Sequence, residues 1–514
     1  MDVDRNEEIG SLLSRLTNCS QEEALNIILE LDILAGTNAA DFKQEFVRNE
    51  FGRLLALLYT LKGKAKDHGF RLASKVFHIL GPTEIIAKNL HTVTEMLAEG
   101  DEELKLFYLK QLAISSATLE GASFMLKNIQ EAGNSVLEAV VRNIGHELLS
   151  VAKNASIVVY NVLKFPHGIS YFLTDNGIEL FTGLLSKSAL VRFRVYQLFA
   201  DLLVEDSELI RNKQVQQILN KLILELQNDD ILTQVNCLEM LSTIATSSSN
   251  CLDFLAKSGT LHQLNTVFKD VEVDPLKQIL LPGTITFFGK TATKMPEEIL
   301  LHYPEFVNFV FKCCNEGDAI LKVLCFETIF AICSTEDGLK ILYQNPERLN
   351  HAMTILGRDV ISSMDEALKV RLIDALAHLF AISEANCSEE SFQIRETLYQ
   401  HINKQPINTF MTCARLPFQN IRLSSLGALA NIAAFSWSEQ DMALTPGFLE
   451  YMLDRRTEHD KEGKELKYQI LKTISQSITA KENIGMDYYE RICKYVAEGP
   501  FYSEQQIAVD FEKL

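Results

Sequence analysis

The chain has 514 residues, with 49 Lys and Arg against 68 Asp and Glu, a formal net charge of −19 at pH 7. That balance excludes the basic footprint by which nucleic-acid-binding proteins hold phosphates. With 47% apolar residues, 11 Pro and 24 Gly, it is too apolar to stay disordered and poor enough in helix breakers to be almost wholly helical.

In chain order, the opening "MDVDRNEEIG" is acidic and polar, unlike a signal or transit peptide. Ser20-Gln21-Glu22-Glu23 reads as a capping box that starts the amphipathic helix "EALNIILELDIL". Residues 1–95 are read as an N-terminal helical cap with degenerate repeats, and 96–514 as the repeat array with its own C-terminal cap. In "VRFRVYQLFADLL", Val191, Val195, Phe199 and Leu202 fall at 0, +4, +8 and +11, one face of a helix. The frame recurs at Thr233/Cys237/Leu241/Ile244, Leu321/Cys325/Ile329/Ile332, Leu368/Leu372/Leu376/Leu379 and Ile421/Ser425/Leu429/Ile432, with weaker copies from Leu104, Val136 and Leu466. Successive anchors are 32, 55, 42, 88, 47, 53 and 45 residues apart. The step of 88 is two units of 44, and "LPGTITFFGKTA" (281–292) occupies the missing one.

That stretch contains Gly-Lys-Thr, the end of a phosphate-binding loop. Gly283, however, precedes Gly289 by six residues where the motif needs five, the intervening residues are bulky, and no strand leads in. It is read as a helix of an imperfect repeat. The charged run "DRRTEHDKEGKELK" (454–467) is expected to form the loop before the last clear repeat helix.

A period in the forties is the signature of HEAT and armadillo arrays. The expected fold is all-α, a single curved α-solenoid of antiparallel helix pairs with each anchor helix second in its unit. Position +1 of the frame is basic at Lys105, Arg192, Lys322, Lys369, Arg422 and Lys467, often with acids just before it. The ladder is read as structural, each cation reaching an acid in the neighbouring turn.

No catalytic constellation forms. His459-Asp460 lacks the further ligands of a metal phosphohydrolase, since the nearest upstream histidine is His401. Cys313-Cys314 has no His at zinc spacing, and nothing marks a base beside Cys413 or Cys333. Trp437 is expected to be a packing plug. Ten scattered cysteines without C-x-x-C read as reduced thiols of a cytosolic or nuclear protein, and no apolar run is long enough to span a membrane. No enzyme activity, cofactor, metal, nucleic acid or membrane is expected, and the chain is expected to act as a monomer.

Positions +3, +6 and +10 of the anchor helices share a second, polar face: Arg194, Gln197 and Asp201; Asn236, Glu239 and Thr243; Arg371, Asp374 and His378; and Asn431 at +10 of its unit. Successive faces of this kind would line the concave side of a solenoid and form a protein-binding groove.

"VRFRVYQL", "LPGTITFFGKTA", "PGFLEYMLDRRTEHDKEGKELKYQILK" (446–472) and "YVAEGPFY" (495–502) resemble the proteasome non-ATPase regulatory subunit 5 family. The resemblance implies an assembly chaperone of the proteasome regulatory particle base. Such a protein holds the C-terminal domain of an AAA-type ATPase subunit in an early assembly module and leaves before the particle matures. The family has no catalytic motif to carry over. A solenoid scaffold or transport adaptor with another protein partner would share every physical feature above, and that alternative stays open.

Overall fold

A computed structural model describes residues 11–16, 19–37, 55, 58–127, 135–271, 274–361, 365–382 and 387–502. The acidic opening decapeptide lies outside them. The described residues contain no strand, and no helix among them is long and apolar enough to cross a membrane. The chain divides into two compact units, residues 1–228 and 229–514. Each is a stack of short helices of the HEAT/armadillo type.

The capping box forms as read. Ser20 N–H donates to Glu23 Oε2 (2.9 Å), Glu23 N–H donates to Ser20 Oγ (3.3 Å), and the helix runs Gln21–Thr37. Beyond it the repeating element has three helices, not two. A short first helix and a second helix precede a longer third one, and each layer packs on its own kind in the next repeat. In the second unit the third helices stack in succession: α4 (Ile231–Ala245), α5 (Pro275–Lys294), α6 (Ala319–Cys333), α7 (Glu366–Leu379), α8 (Gln419–Ile432) and α9 (Lys461–Gln476). The second helices Thr260–Asp270, Pro304–Glu316, Pro346–Ile361 and Pro406–Ala414 form a parallel row. In the first unit the third helices are α1 (Glu102–Ser116), α2 (Leu149–Leu163) and α3 (Ala189–Glu205). The anchor is therefore the last of three helices. Several of the helices before it begin on proline, whose missing N–H costs nothing in a first turn.

The anchor frame is the buried stripe of these third helices. Val195, Cys237, Leu241, Cys325, Leu372, Leu376, Ser425 and Leu429 are all buried. In one repeat the structure moves the frame. Val136–Ile144 is a second helix, ended near Gly145, and the residue at +11, Glu147, is exposed. The third helix of that repeat carries the frame at Val151/Ala155/Val159/Val162, each 0% exposed. The missing unit is also found. Leu281, Ile285, Gly289 and Ala292 of α5 occupy the four frame positions and are buried. With both placed, the step from one anchor to the next lies between 40 and 53 residues.

The Gly-Lys-Thr stretch is thus interior helix. Phe287 and Phe288 are 0% exposed, and Phe288 stacks on Phe306 with ring centroids 5.3 Å apart. Gly289 is required by packing, because a Cβ there would sit 2.7 Å from Thr328 Cγ2 of α6. Thr291 is buried and its hydroxyl donates to the Phe287 carbonyl (2.7 Å), so it presents nothing to a phosphate. Trp437 packs as a plug between Tyr399 (4.5 Å) and Phe435 (5.2 Å).

Candidate functional site

The basic ladder is internal, with different partners from those expected. Arg192 forks onto Glu225 (Nε–Oε1 2.6 Å, Nη2–Oε2 3.0 Å), Lys322 reaches Asp359 (3.2 Å), and Arg422 reaches Asp460 (3.2 Å) and Glu458 (3.6 Å). In each case the cation lies in the first turns of a third helix; Glu225 and Asp359 lie at or just past the end of the following repeat's second helix, and Glu458 and Asp460 in the segment that leads into its third. The acids just before the cations do something else. Asp101, Asp318 and Asp365 are N-caps, accepting from backbone amides two or three residues on. Lys369 is 8% exposed, and Lys467, at 1%, donates to the Asp454 carbonyl (2.6 Å). Arg192, Lys322 and Arg422 thus hold neighbouring repeats together, and Lys467 is tied down within its own.

The run 454–467 departs from a solvated loop in the same way. Its helix begins at Lys461, and Glu458 is 1% exposed and accepts from Tyr451 Oη (2.6 Å). Asp460 beside His459 is engaged by Arg422, and no group of three His, Cys, Asp or Glu among the described residues could hold a metal. Cys313, Cys314, Cys333 and Cys413 are buried, and burial pushes the Cys333 thiol up to about 12.

The polar face divides into residues turned outward and residues bound inward. In the first unit Gln197 and Asp201 are exposed and joined by a hydrogen bond (2.8 Å). Arg194 donates instead to the carbonyls of Ile144 (3.0 Å) and His146 (2.7 Å), closing the end of the Val136–Ile144 helix. In the second unit Asn236, Glu239, Asp374 and His378 are exposed, and Thr243 donates to the Glu239 carbonyl (3.2 Å). Asn431 on α8 donates to the Ala377 carbonyl of α7 (3.0 Å), and Asn161 on α2 does the same to Ala113 of α1 (3.1 Å). Both asparagines rivet consecutive third helices. Arg371 on α7 forks onto Glu327 on α6 (2.7 and 2.6 Å), a pair half open to water.

Sequence reasoning missed the concavity beside Arg371. A cleft of about 880 Å³ runs between the first halves of α5 and α6, floored by Leu281, Pro282, Leu321 and Leu324 and rimmed by Ile320 and Arg371. Pro282 lies inside α5 and has no N–H, so it cannot supply the helical hydrogen bond to the Gln278 carbonyl. Ile320 is 66% exposed, as are Leu232 (64%) and Leu190 (61%), each one residue before its anchor. An apolar residue at that position of an otherwise amphipathic helix was the available signal. The cleft can seat an apolar side chain beside a charged pair, a protein-docking chemistry.

Residues 5–513 match the family described as proteasome non-ATPase 26S subunit. The chain belongs to this family. Over 472 residues it is 25% identical to the 26S proteasome non-ATPase regulatory subunit 5 of Bos taurus and, equally, of Homo sapiens, covering 91% of this chain and 92% of each relative. The Drosophila melanogaster protein of the same name is 22% identical over 83% of this chain and 88% of its own length. Among solved structures, importin beta aligns over 95% of this chain and 67% of its own at 11% identity, with a TM-score of 0.56. A Kap121p mutant aligns over 96% and 51% at 11% identity, with a TM-score of 0.55. Both are likenesses of fold.

Proposed function

We propose that this chain is a non-catalytic assembly chaperone of the proteasome regulatory particle base. It holds the C-terminal domain of one AAA-type ATPase subunit within an early module and is released before the particle matures. The observation that carries this reading is the family match across residues 5–513, almost the whole chain. The arrangement of side chains supports it. The thiols considered as nucleophiles are buried, Thr291 is turned into its own helix, and the outward polar residues are presented by rigid stacked helices. We place the ATPase contact in the second unit, on the α5–α7 face, where the apolar cleft adjoins Arg371 and where Asp374 and His378 are exposed farther along α7. Ten cysteines, none of them in a disulfide, fit a reducing compartment, cytosol or nucleus.

Affinity capture of the tagged chain from cells, followed by sedimentation, tests the reading. It should recover base ATPase subunits and their precursor modules and be missing from mature particles. Recovery of transport or scaffold partners alone would replace the chaperone reading by that of an adaptor. With a purified ATPase C-terminal domain, Asp374→Arg combined with Ile320→Asp should weaken binding by more than about tenfold while melting is unchanged. Undiminished affinity in that folded variant would remove the contact from this face.

A further inference from the structure

The two C-terminal stretches 446–472 and 495–502 meet in space at a place the proposed contact does not use. Arg455 joins them. Its guanidinium lies over the Tyr495 ring (3.7 Å to the centroid) and donates to the carbonyls of Gly499 (2.6 Å) and Tyr495 (3.1 Å) and to Glu498 (3.1 Å). Around this joint opens a cleft of about 810 Å³ whose lining carries Arg455, Arg456, Lys464, Arg491 and Lys494 against Asp454 and Glu498. A chain of net charge −19 thus gathers five cations and two acids in one concavity. The outer cations are exposed, the side chains of Arg456 by 89% and Lys494 by 76%, and each makes a surface ion pair with a lining acid, Arg456 with Asp454 (3.1 Å) and Lys494 with Glu498 (3.9 Å), that an incoming carboxylate can share. Beside them Phe501 (55%) and Tyr502 (44%) are exposed aromatic surface.

We propose that this cleft is a second docking site, and that its occupant is an acidic segment of a partner protein bearing an aromatic or aliphatic residue. Arginine forks match carboxylates, and lysine ammonium groups add attraction of longer range. The aromatic pair supplies the apolar contact that a purely electrostatic site lacks. A nucleic acid fits poorly, because the acids in the lining and the overall negative charge repel a continuous run of phosphates. The proposal is independent of the ATPase contact on the α5–α7 face.

The test is fluorescence anisotropy of the full chain with a labelled glutamate–phenylalanine peptide, using the lysine–phenylalanine peptide and a single-stranded oligonucleotide as comparators. The acidic peptide should bind, weaken with added salt, and lose about tenfold or more in affinity in Arg456→Glu/Lys494→Glu. Both positions are exposed, so melting should not change, and circular dichroism of the variant checks this. Arg455 is left alone because it holds the cleft together. Failure of the acidic peptide to bind, equal binding of the basic peptide or tighter binding of the oligonucleotide would overturn the proposal, as would an undiminished affinity in the charge-reversed variant. A chain ending at residue 502 checks the remaining occupant. If removing residues 503–514 tightens peptide binding about tenfold, the cleft belongs to the chain's own tail and the partner assignment falls. Unchanged affinity in the shortened chain supports it.

Discussion

Arg192→Met separates a structural ladder from a ligand-binding one. Glu225 is 7% exposed and accepts from both guanidinium nitrogens of Arg192, from Tyr196 Oη (3.2 Å) and from Asn228 (3.2 Å). Burial alone would raise the Glu225 pKa, but the Arg192 hydrogen bonds and charge outweigh it and hold the carboxyl below its ordinary value. Removing the cation strands a desolvated carboxylate, which costs about 3–5 kcal/mol for a fully buried pair. The Arg192 side chain is 21% exposed and water can reach the site, so about 2–3 kcal/mol is expected here. In a unit of this size that corresponds to a fall in melting temperature of about 5–10 °C. Hydrogen exchange should locate the loosening in α3 and the segment around Glu225. Adding Glu225→Gln should recover most of the loss, since the carboxylate is no longer charged. The acid also gives a pH sign. Its folded pKa is depressed, so its contribution is present above the ordinary carboxylate range and disappears as pH falls through the folded value, a dependence that Arg192→Met should flatten. A variant that melts like wild type yet loses partner binding would refute the structural reading.

Four further outcomes follow from the same geometry. Gly289→Val should cost about 1–3 kcal/mol, read by urea unfolding, because the new Cβ meets Thr328, whereas exposed Lys290→Ala should stay within about 0.5 kcal/mol and create no change in nucleotide affinity. Leu376→Asp, at a position 0% exposed, should lose more than about 4 kcal/mol and unfold neighbouring repeats, as exchange across α6–α8 would report. Lys467 is held at a pKa of about 8 by burial, so the unfolded chain binds the extra proton between pH 8 and the ordinary value of 10.5, and stability should rise with pH across that window. Lys467→Met should abolish that rise in pH-dependent melts.

The anchor helices were legible because burial writes its period directly into the sequence, and a run such as Val191/Val195/Phe199/Leu202 sets every apolar anchor on one face of a helix. The three-helix unit was not. First helices such as Pro166–Phe172 and Pro296–Leu300 make too few turns to display a period, and their clearest mark is the proline that opens them. Four-residue spacing alone could not separate Val136 from Val151, because both helices of that repeat bury one face; only the turn near Gly145 tells them apart. The acids before the third helices misled for a related reason. An aspartate placed to cap a helix occupies the position where an acid would pair with the cation one turn on, so one sequence pattern served two arrangements.

Partner-facing residues are harder to read than the core because a polar residue at a given register can turn outward or bind inward. Asp374 and His378 remain exposed, whereas Arg194 and Asn431, at the same kind of position, are drawn to carbonyls of Ile144 and Ala377 about fifty residues away in sequence. No local pattern records such a distance. What sequence does record is a departure from local rules, and the stretch at 281–292 carries two. Proline and glycine inside a twenty-residue helix break its hydrogen bonding and thin its surface, yet Phe287 and Phe288 still anchor it in the core. The helix therefore persists with a weakened first half, and the apolar cleft beside Arg371 opens there. Pro282 and Gly283 line that cleft, whereas Gly289 of the phosphate-loop look-alike packs against Thr328, so the two departures in this one stretch serve different ends, an opening in the surface and a close approach between helices.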